Sequence, residues 1–266
     1  MKSLQTMNRI RFCALMLATA LVAPLPAGAA DPAKITVFAA ASLREAFEAA
    51  APAFTKKTGT AVTFSFGGSD TLAAQLAQGA AADVFASANE AQMKKITDAG
   101  LAAGQPKTFA RNRLVLIVPK SNPAGITNLP GLAKPGVKVV LAAAAVPVGG
   151  YARAAFKHQA GQPGYAPDYA DAVEKNVVSN ELDVKAVATK ISIGEGDAGV
   201  VYSTDITPDI ASKVTVIPFP PGASPDAIYP IAVLKNAPNS RDAQAFVGFV
   251  LGDGQAFLKA RGFLAP

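Results

Sequence analysis

The chain has 266 residues, a formal net charge of +6, one cysteine, one histidine and no tryptophan. A lone cysteine excludes an internal disulfide, and with a single histidine too few ligands remain for a zinc centre. Half of the residues are hydrophobic, which suffices for two modest α/β lobes or one large domain.

The first thirty residues read as a secretory signal peptide. Lys2, Arg9 and Arg11 form a basic start, and residues 12–22 are an apolar run too short for a stable membrane span. Pro24-Leu25-Pro26 breaks the run, and Ala27-Gly28-Ala29 gives the small-x-small pattern of a cleavage site, placing cleavage after Ala29 or Ala30. Cys13 lies inside the apolar run and leaves with it. Losing three basic residues brings the mature charge to +3, and no basic stripe of the kind nucleic acid requires is present.

The mature chain opens on Ile35-Thr36-Val37-Phe38, a short and partly β-branched strand. Ser42 follows where a helix N-cap belongs, and Glu45 stands three residues later, the spacing of a capping box. Leu43, Phe47, Ala50 and Phe54 fall at helical spacing up to a stop at Gly59. A second strand at 61–66 runs through Gly67-Gly68 into a helix that starts at Ser69. A third unit has a strand at 83–86 and a helix at 90–99. Strands alternating with helices predict a mainly parallel sheet with helices on both faces.

Residues 113–119 form a long apolar strand, a candidate crossing into a second lobe. A strand at 137–142 leads through Val146-Pro147-Val148-Gly149-Gly150 into a helix that reaches His158. A short helix at 168–174 and a strand at 176–179 follow. Asn180-Glu181-Leu182-Asp183-Val184 opens a helix that runs to Ile193. Strands at 198–203 and 214–217 come next, the first with Tyr202 near its carboxyl end. Residues 228–234 read as a strand interrupted by Pro230, hence an edge or hinge strand. Two terminal helices close the chain. The expected organisation is a signal peptide at 1–30, a first lobe at 31–112 and 228–266, and a second lobe at 113–227.

Four helix starts stand out, at Ser42, Ser69, Val148 and Val184, two in each lobe. In doubly wound sheets such starts share one rim, so two facing lobes aim their open amides into one cleft, a setting for an oxyanion. Apart from Arg44, no Lys or Arg sits within these turns, and the hydroxyls of Ser42, Ser69 and Tyr202 can complete a neutral donor shell. An ordinary capping role for Ser42 competes with this one, because the two roles pull on the same hydroxyl. Catalytic readings are weaker. His158 falls late in a helix beside Lys157, as a solvated surface residue does. No Ser-x-x-Lys element is placed at a strand–helix turn, and Gly67-Gly68 lacks the dinucleotide spacing. Asp197 and Asp205 flank a strand as turn or cap residues.

Five motifs in register, Ile35-Thr36-Val37-Phe38-Ala39-Ala40-Ala41-Ser42-Leu43, Phe66-Gly67-Gly68-Ser69-Asp70-Thr71-Leu72, Ala82-Asp83-Val84-Phe85-Ala86-Ser87, Val146-Pro147-Val148-Gly149-Gly150-Tyr151 and Gly199-Val200-Val201-Tyr202-Ser203-Thr204-Asp205, resemble the periplasmic molybdate-binding proteins of ABC importers. The resemblance implies a two-lobed type II periplasmic binding-protein fold with the ligand cleft between the lobes. It implies a monomeric, non-enzymatic receptor, free of cofactors and of nucleic-acid partners, that hands molybdate or tungstate to a membrane permease. It implies ligand contacts from the amides and hydroxyls of Ser42 and Ser69, the amides of Val148 and Val184, and the hydroxyl of Tyr202. The alternatives are a receptor for another tetrahedral oxyanion such as sulfate, and a secreted hydrolase. Two departures stand out: Val148 replaces the alanine common in the family, and Ala142-Ala143-Ala144-Ala145 lacks the Asp-Pro often found before that turn.

Overall fold

Two five-stranded sheets, each flanked by helices, carry the chain. The structure, a computed structural model, describes residues 33–266, so the expected signal peptide and Cys13 lie outside the described residues. The first half contains β1 (Lys34–Ala40), α1 (Arg44–Thr58), β2 (Ala61–Gly67), α2 (Ser69–Ala77), β3 (Val84–Ala86), α3 (Glu90–Asp98) and β4 (Lys107–Asn112). The second half contains β5 (Leu114–Pro119), β6 (Val139–Ala142), α4 (Pro147–Gln159), α5 (Tyr169–Lys175), β7 (Val177–Glu181), α6 (Val184–Ser192), β8 (Ala198–Tyr202), α7 (Pro208–Lys213) and β9 (Val214–Pro218). β10 (Ala227–Val233), α8 (Ser240–Leu251) and α9 (Gln255–Ala260) close the chain. Short 3-10 turns cover Ala41–Leu43, Leu129–Ala133 and Ser203–Asp205.

Strand order is β2-β1-β3-β10-β4 in one sheet and β7-β6-β8-β5-β9 in the other. The two halves thus repeat one plan: three parallel strands, then one reversed strand, then a fifth. The reversed strand of each sheet is the one that adjoins a crossing, β5 after β4 and β10 after β9. Strand–helix alternation alone predicts parallel pairing and does not reveal these reversals.

Pro230 is the clearest departure. It does not sit on an edge strand, since β10 lies between β3 and β4. The ladder tolerates it because the register with β4 shifts between Tyr229 and Pro230, a bulge at the residue that has no N–H to donate. Its carbonyl still accepts from the Ser87 amide at 2.9 Å. β4 and α7 carry too little apolar periodicity to be read from sequence. β4 exposes Lys107, Thr108 and Arg111, and α7 has no buried residue.

Apolar spacing explains the packing of α1. Ala46, Phe47, Ala50 and Phe54 are buried on one face, and Gly59 ends the helix in the left-handed region at φ 77°. Phe47 and Phe54 meet the Phe246 ring edge-on at 5.7 and 5.2 Å, which ties α1 to α8 of the returning chain. In the other sheet, α6 lies close against β8 because Gly199 has no side chain. A Cβ there would stand 2.9 Å from both Val187 Cγ1 and Ile191 Cγ1 and 3.0 Å from the Val140 carbonyl. Gly199→Ala is therefore expected to lower unfolding stability by about 1–3 kcal/mol through overpacking. Urea denaturation checks this, and a wild-type midpoint would mean that α6 retreats freely.

Candidate functional site

The carboxyl ends of β1, β2, β6, β7 and β8 all open onto one cavity. Its walls include Ser42, Ser69, Val148, Val184 and Tyr202, together with Gly68, Ala88, Pro147 and Asp183. The structure therefore brings all five residues singled out in the sequence to one place. Among the described residues no Lys, Arg or His lines that place.

The donors come from helix starts. The first amides of a helix have no intrahelical acceptor. Ser69 is the first residue of α2, Val148 the second of α4, and Val184 the first of α6. Gly68 and Val146, at the N-caps of α2 and α4, make no side-chain cap bond. Each start also adds the positive end of its dipole. Gly149 lets α4 begin close to the chain before it, since a Cβ there would collide with the carbonyls of Ala142 and Ala143. The alanine run at 142–145 is thus accommodated by this close approach, with no Asp-Pro.

Ser42 is not a cap. It lies in the 3-10 turn before α1, where neither Ala40 nor Leu43, at the N-cap positions, makes a side-chain cap bond. Its hydroxyl lies 2.9 Å from the Tyr229 hydroxyl, and Glu45 turns away to Lys185. The expected capping box is therefore absent, because both of its side chains have partners elsewhere in the fold.

A chain of buried bonds leads from the crossing between the sheets to the Ser42 hydroxyl. Asn112 Oδ1 accepts from the Arg113 amide at 2.9 Å and from Ser203 Oγ at 3.1 Å, which fixes the amide orientation. Asn112 Nδ2 then donates to Thr204 Oγ1 at 2.7 Å and to the Tyr229 hydroxyl at 3.3 Å. Tyr229 accepts from Asn112, and either hydroxyl of the Ser42–Tyr229 pair can donate to the other; with Tyr229 donating, the Ser42 proton is free to face the cavity. Ser69 reaches the same state by another route, since its oxygen accepts from the Ala88 amide at 3.1 Å. Tyr202 is 1 % exposed, and its hydroxyl has no hydrogen-bond partner among the described residues. Burial holds the Tyr202 phenol far above its usual pKa, so it stays a proton donor.

One wall residue departs from the donor-only expectation. Asp183 lines the cavity as an acceptor, but its Oδ1 is turned back to the Ala186 amide at 3.0 Å, capping α6. Sequence reasoning also missed Lys185, one residue into α6. Its ammonium lies 2.8 Å from both Glu45 oxygens and 3.1 Å from Asp205 Oδ1. Burial pulls the Lys185 pKa down, but Asp205 and Glu45 together carry it above its usual value. Asp205 does act as a turn residue, with Oδ2 accepting from the Tyr202 amide at 3.2 Å, yet it is also wholly buried. Burial outweighs Lys185 there and raises its pKa to about 6. A lone Asp after a strand carries no sequence signal for such a partner 20 residues away.

His158 is exposed near the carboxyl end of α4, away from the cavity walls. Among the described residues no group of three or more His, Cys, Asp or Glu could hold a metal ion, and no helix is long and apolar enough to cross a membrane.

The family model described as bacterial extracellular solute-binding protein matches residues 35–264. The molybdate-binding protein ModA of Mycobacterium bovis is 40 % identical over 91 % of this chain and 88 % of its own length. That of Escherichia coli K12 is 32 % identical over 88 % of this chain and 90 % of its own. Among solved structures, the substrate-binding domain of a putative molybdenum ABC transporter from Clostridium difficile aligns with a TM-score of 0.63 and 27 % identity, covering 88 % of this chain and 99 % of that one.

The raised pKa of Asp205 gives a pH signature. Its folded form holds the proton more tightly than the unfolded chain, so its contribution to stability is full below the unfolded value of 3.8 and is lost as pH rises through about 6. Asp205→Asn removes that titration. Thermal midpoints of the two proteins between pH 4 and pH 7 are expected to move in favour of wild type as pH falls, and a constant difference would contradict the assignment.

Proposed function

From the premise that the chain belongs to the bacterial extracellular solute-binding proteins, we propose that it is a periplasmic receptor that captures molybdate, and also tungstate, for the permease of an ABC importer. Residues 1–30 export it, and it acts as a monomer that binds and does not catalyse. Ser42, Ser69, Val148, Val184 and Tyr202 contact the oxyanion. Residues 31–112 with 228–266 form one closing lobe and residues 113–227 the other.

One observation carries the reading: five neutral donors from both sheets meet at one cavity that no basic side chain lines. With the hydroxyls of Ser42, Ser69 and Tyr202 directed as donors, the cavity favours an anion that needs only protons from the protein. Molybdate and tungstate are fully deprotonated at neutral pH. Hydrogen phosphate carries a proton that must find an acceptor, and leaving it unpaired in a buried site is costly. Asp183 is the one acceptor side chain in the wall, and its engaged Oδ1 makes it a poor partner. Contacts from both lobes favour the closed form, so binding shifts the population toward it.

Calorimetric titration of the mature protein with molybdate, tungstate, sulfate and phosphate tests this function. Heat from the first two is expected. Heat from sulfate or phosphate alone would overturn the molybdate reading in favour of another oxyanion. Ser42→Ala and Ser69→Ala are each expected to weaken molybdate binding by about 1–3 kcal/mol, the range for a hydrogen bond to a charged group. Tyr229→Phe, outside the cavity wall, is expected to weaken it by about 1 kcal/mol by removing the donor that orients Ser42. Unchanged affinity in Tyr229→Phe would show that the Ser42 proton needs no such direction.

A further inference from the structure

We propose that Glu45 and Lys185 form a releasable latch across the cleft that sets how long the closed receptor holds its anion. This rests on the reading of the cleft as an oxyanion site that closes on its ligand. Glu45 belongs to the first turn of α1 and Lys185 to the first turn of α6, so the pair joins an element of one sheet to an element of the other. Each stands directly behind a cavity wall, since Ser42 precedes α1 and Val184 begins α6. The Lys185 ammonium reaches both carboxylate oxygens of Glu45 at 2.8 Å. Both side chains are about three-quarters buried, with relative exposures of 23 % and 25 %.

Asp205 makes the latch releasable. Breaking a buried ion pair normally strands a charge away from water, which makes separation costly. Here Lys185 keeps a second carboxylate within its own half, Asp205 Oδ1 at 3.1 Å, and Asp205 is anchored by the Tyr202 amide. When the halves part, Glu45 enters solvent and Lys185 remains neutralised. Opening then costs the cross-cleft attraction alone, without an unpaired buried cation. Two other contacts span the same mouth but carry no net charge: Gln92 Nε2 donates to the Ala145 carbonyl at 2.8 Å, and Gly68 packs against the Leu182 carbonyl, where a Cβ would collide. The pair is therefore the ionic one among these cross-mouth contacts, and added salt weakens it modestly because both side chains are partly buried.

Stopped-flow release of molybdate from wild type, Glu45→Gln, Lys185→Gln and the double variant tests the latch. Glu45→Gln is expected to release the anion about five- to tenfold faster, with the association rate unchanged. Its release should also lose part of the salt dependence seen in wild type, which a merely structural role would not produce. Lys185→Gln should speed release as much, and the double variant no further. Unchanged release in Glu45→Gln, or additive effects in the double variant, would overturn the latch while leaving molybdate binding by wild type intact. A ligand-free arm stands apart from the identity of the anion. Spin labels at Lys56→Cys and Lys157→Cys, both exposed, are expected to report a smaller closed fraction in Glu45→Gln than in the parent, and an identical distance distribution would count against the latch. Absence of molybdate binding by wild type would instead overturn the proposed function, and the spin-label comparison would then decide the latch alone.

Discussion

A hydroxyl donates to an anion only when its single proton is not already committed to another acceptor. That constraint governs the cavity. Ser42 and Ser69 could each face an anion with an oxygen lone pair, which would repel it. The fold places a partner behind each oxygen: the Ala88 amide donates to Ser69, and the Tyr229 hydroxyl, able to donate, lies against Ser42. The first arrangement depends on Asn112, whose own orientation is fixed by the Arg113 amide at the crossing between the sheets. A side chain that touches no cavity wall is thereby linked through Tyr229 to a wall hydroxyl.

The sheets deliver these parts because they repeat one topology. In each, the first two parallel strands lead into a helix start at the cavity, and the third strand ends beside it. Ser42 and Val148 occupy equivalent places after β1 and β6, as do Ser69 and Val184 after β2 and β7. The halves share no obvious sequence repeat, since the repeated feature is an open backbone amide and not a side chain. That also accounts for Val148. The wall is built from its amide position at the start of α4, and the side chain is buried in the core with 2 % exposure. The crossing strands β5 and β10 stand beside the third strand of each sheet, next to the strand ends that line the cavity. Tyr229, on β10, reaches Ser42 from that position.

Much of this was legible in the sequence because strand–turn–helix units announce themselves through short apolar runs followed by small residues. The positions of Ser42, Ser69, Val148, Val184 and Tyr202 at strand ends and helix starts needed no tertiary information. What Ser42 does there was not legible. Ser42 and Glu45 fit a capping box locally, and only the tertiary fold brings Tyr229, 187 residues away, and Lys185, 140 residues away, to take their side chains. Pro230 misled for a related reason. Its missing N–H argues for an edge, but a register shift in the neighbouring ladder absorbs it inside the sheet. β4 and α7 escaped because their side chains face solvent as much as core, leaving no period to read.

The charges near the cavity follow from the same logic as its hydroxyls. A free lysine in the wall would attract sulfate, phosphate and molybdate alike, because Coulomb attraction at a few ångströms does not distinguish among compact dianions. Discrimination by protonation and size requires short-range donors to dominate. Lys185 stands one residue from Val184, close enough to blur that distinction if left unpaired. Two carboxylates, Glu45 and Asp205, neutralise it, and they do so from different sheets. Asp183, the remaining charge in the wall, is drawn back onto the α6 amides. The cavity thus keeps the partial charges of helix starts and oriented hydroxyls as its main field, and Lys185, the cation beside Val184, is held between carboxylates of both sheets.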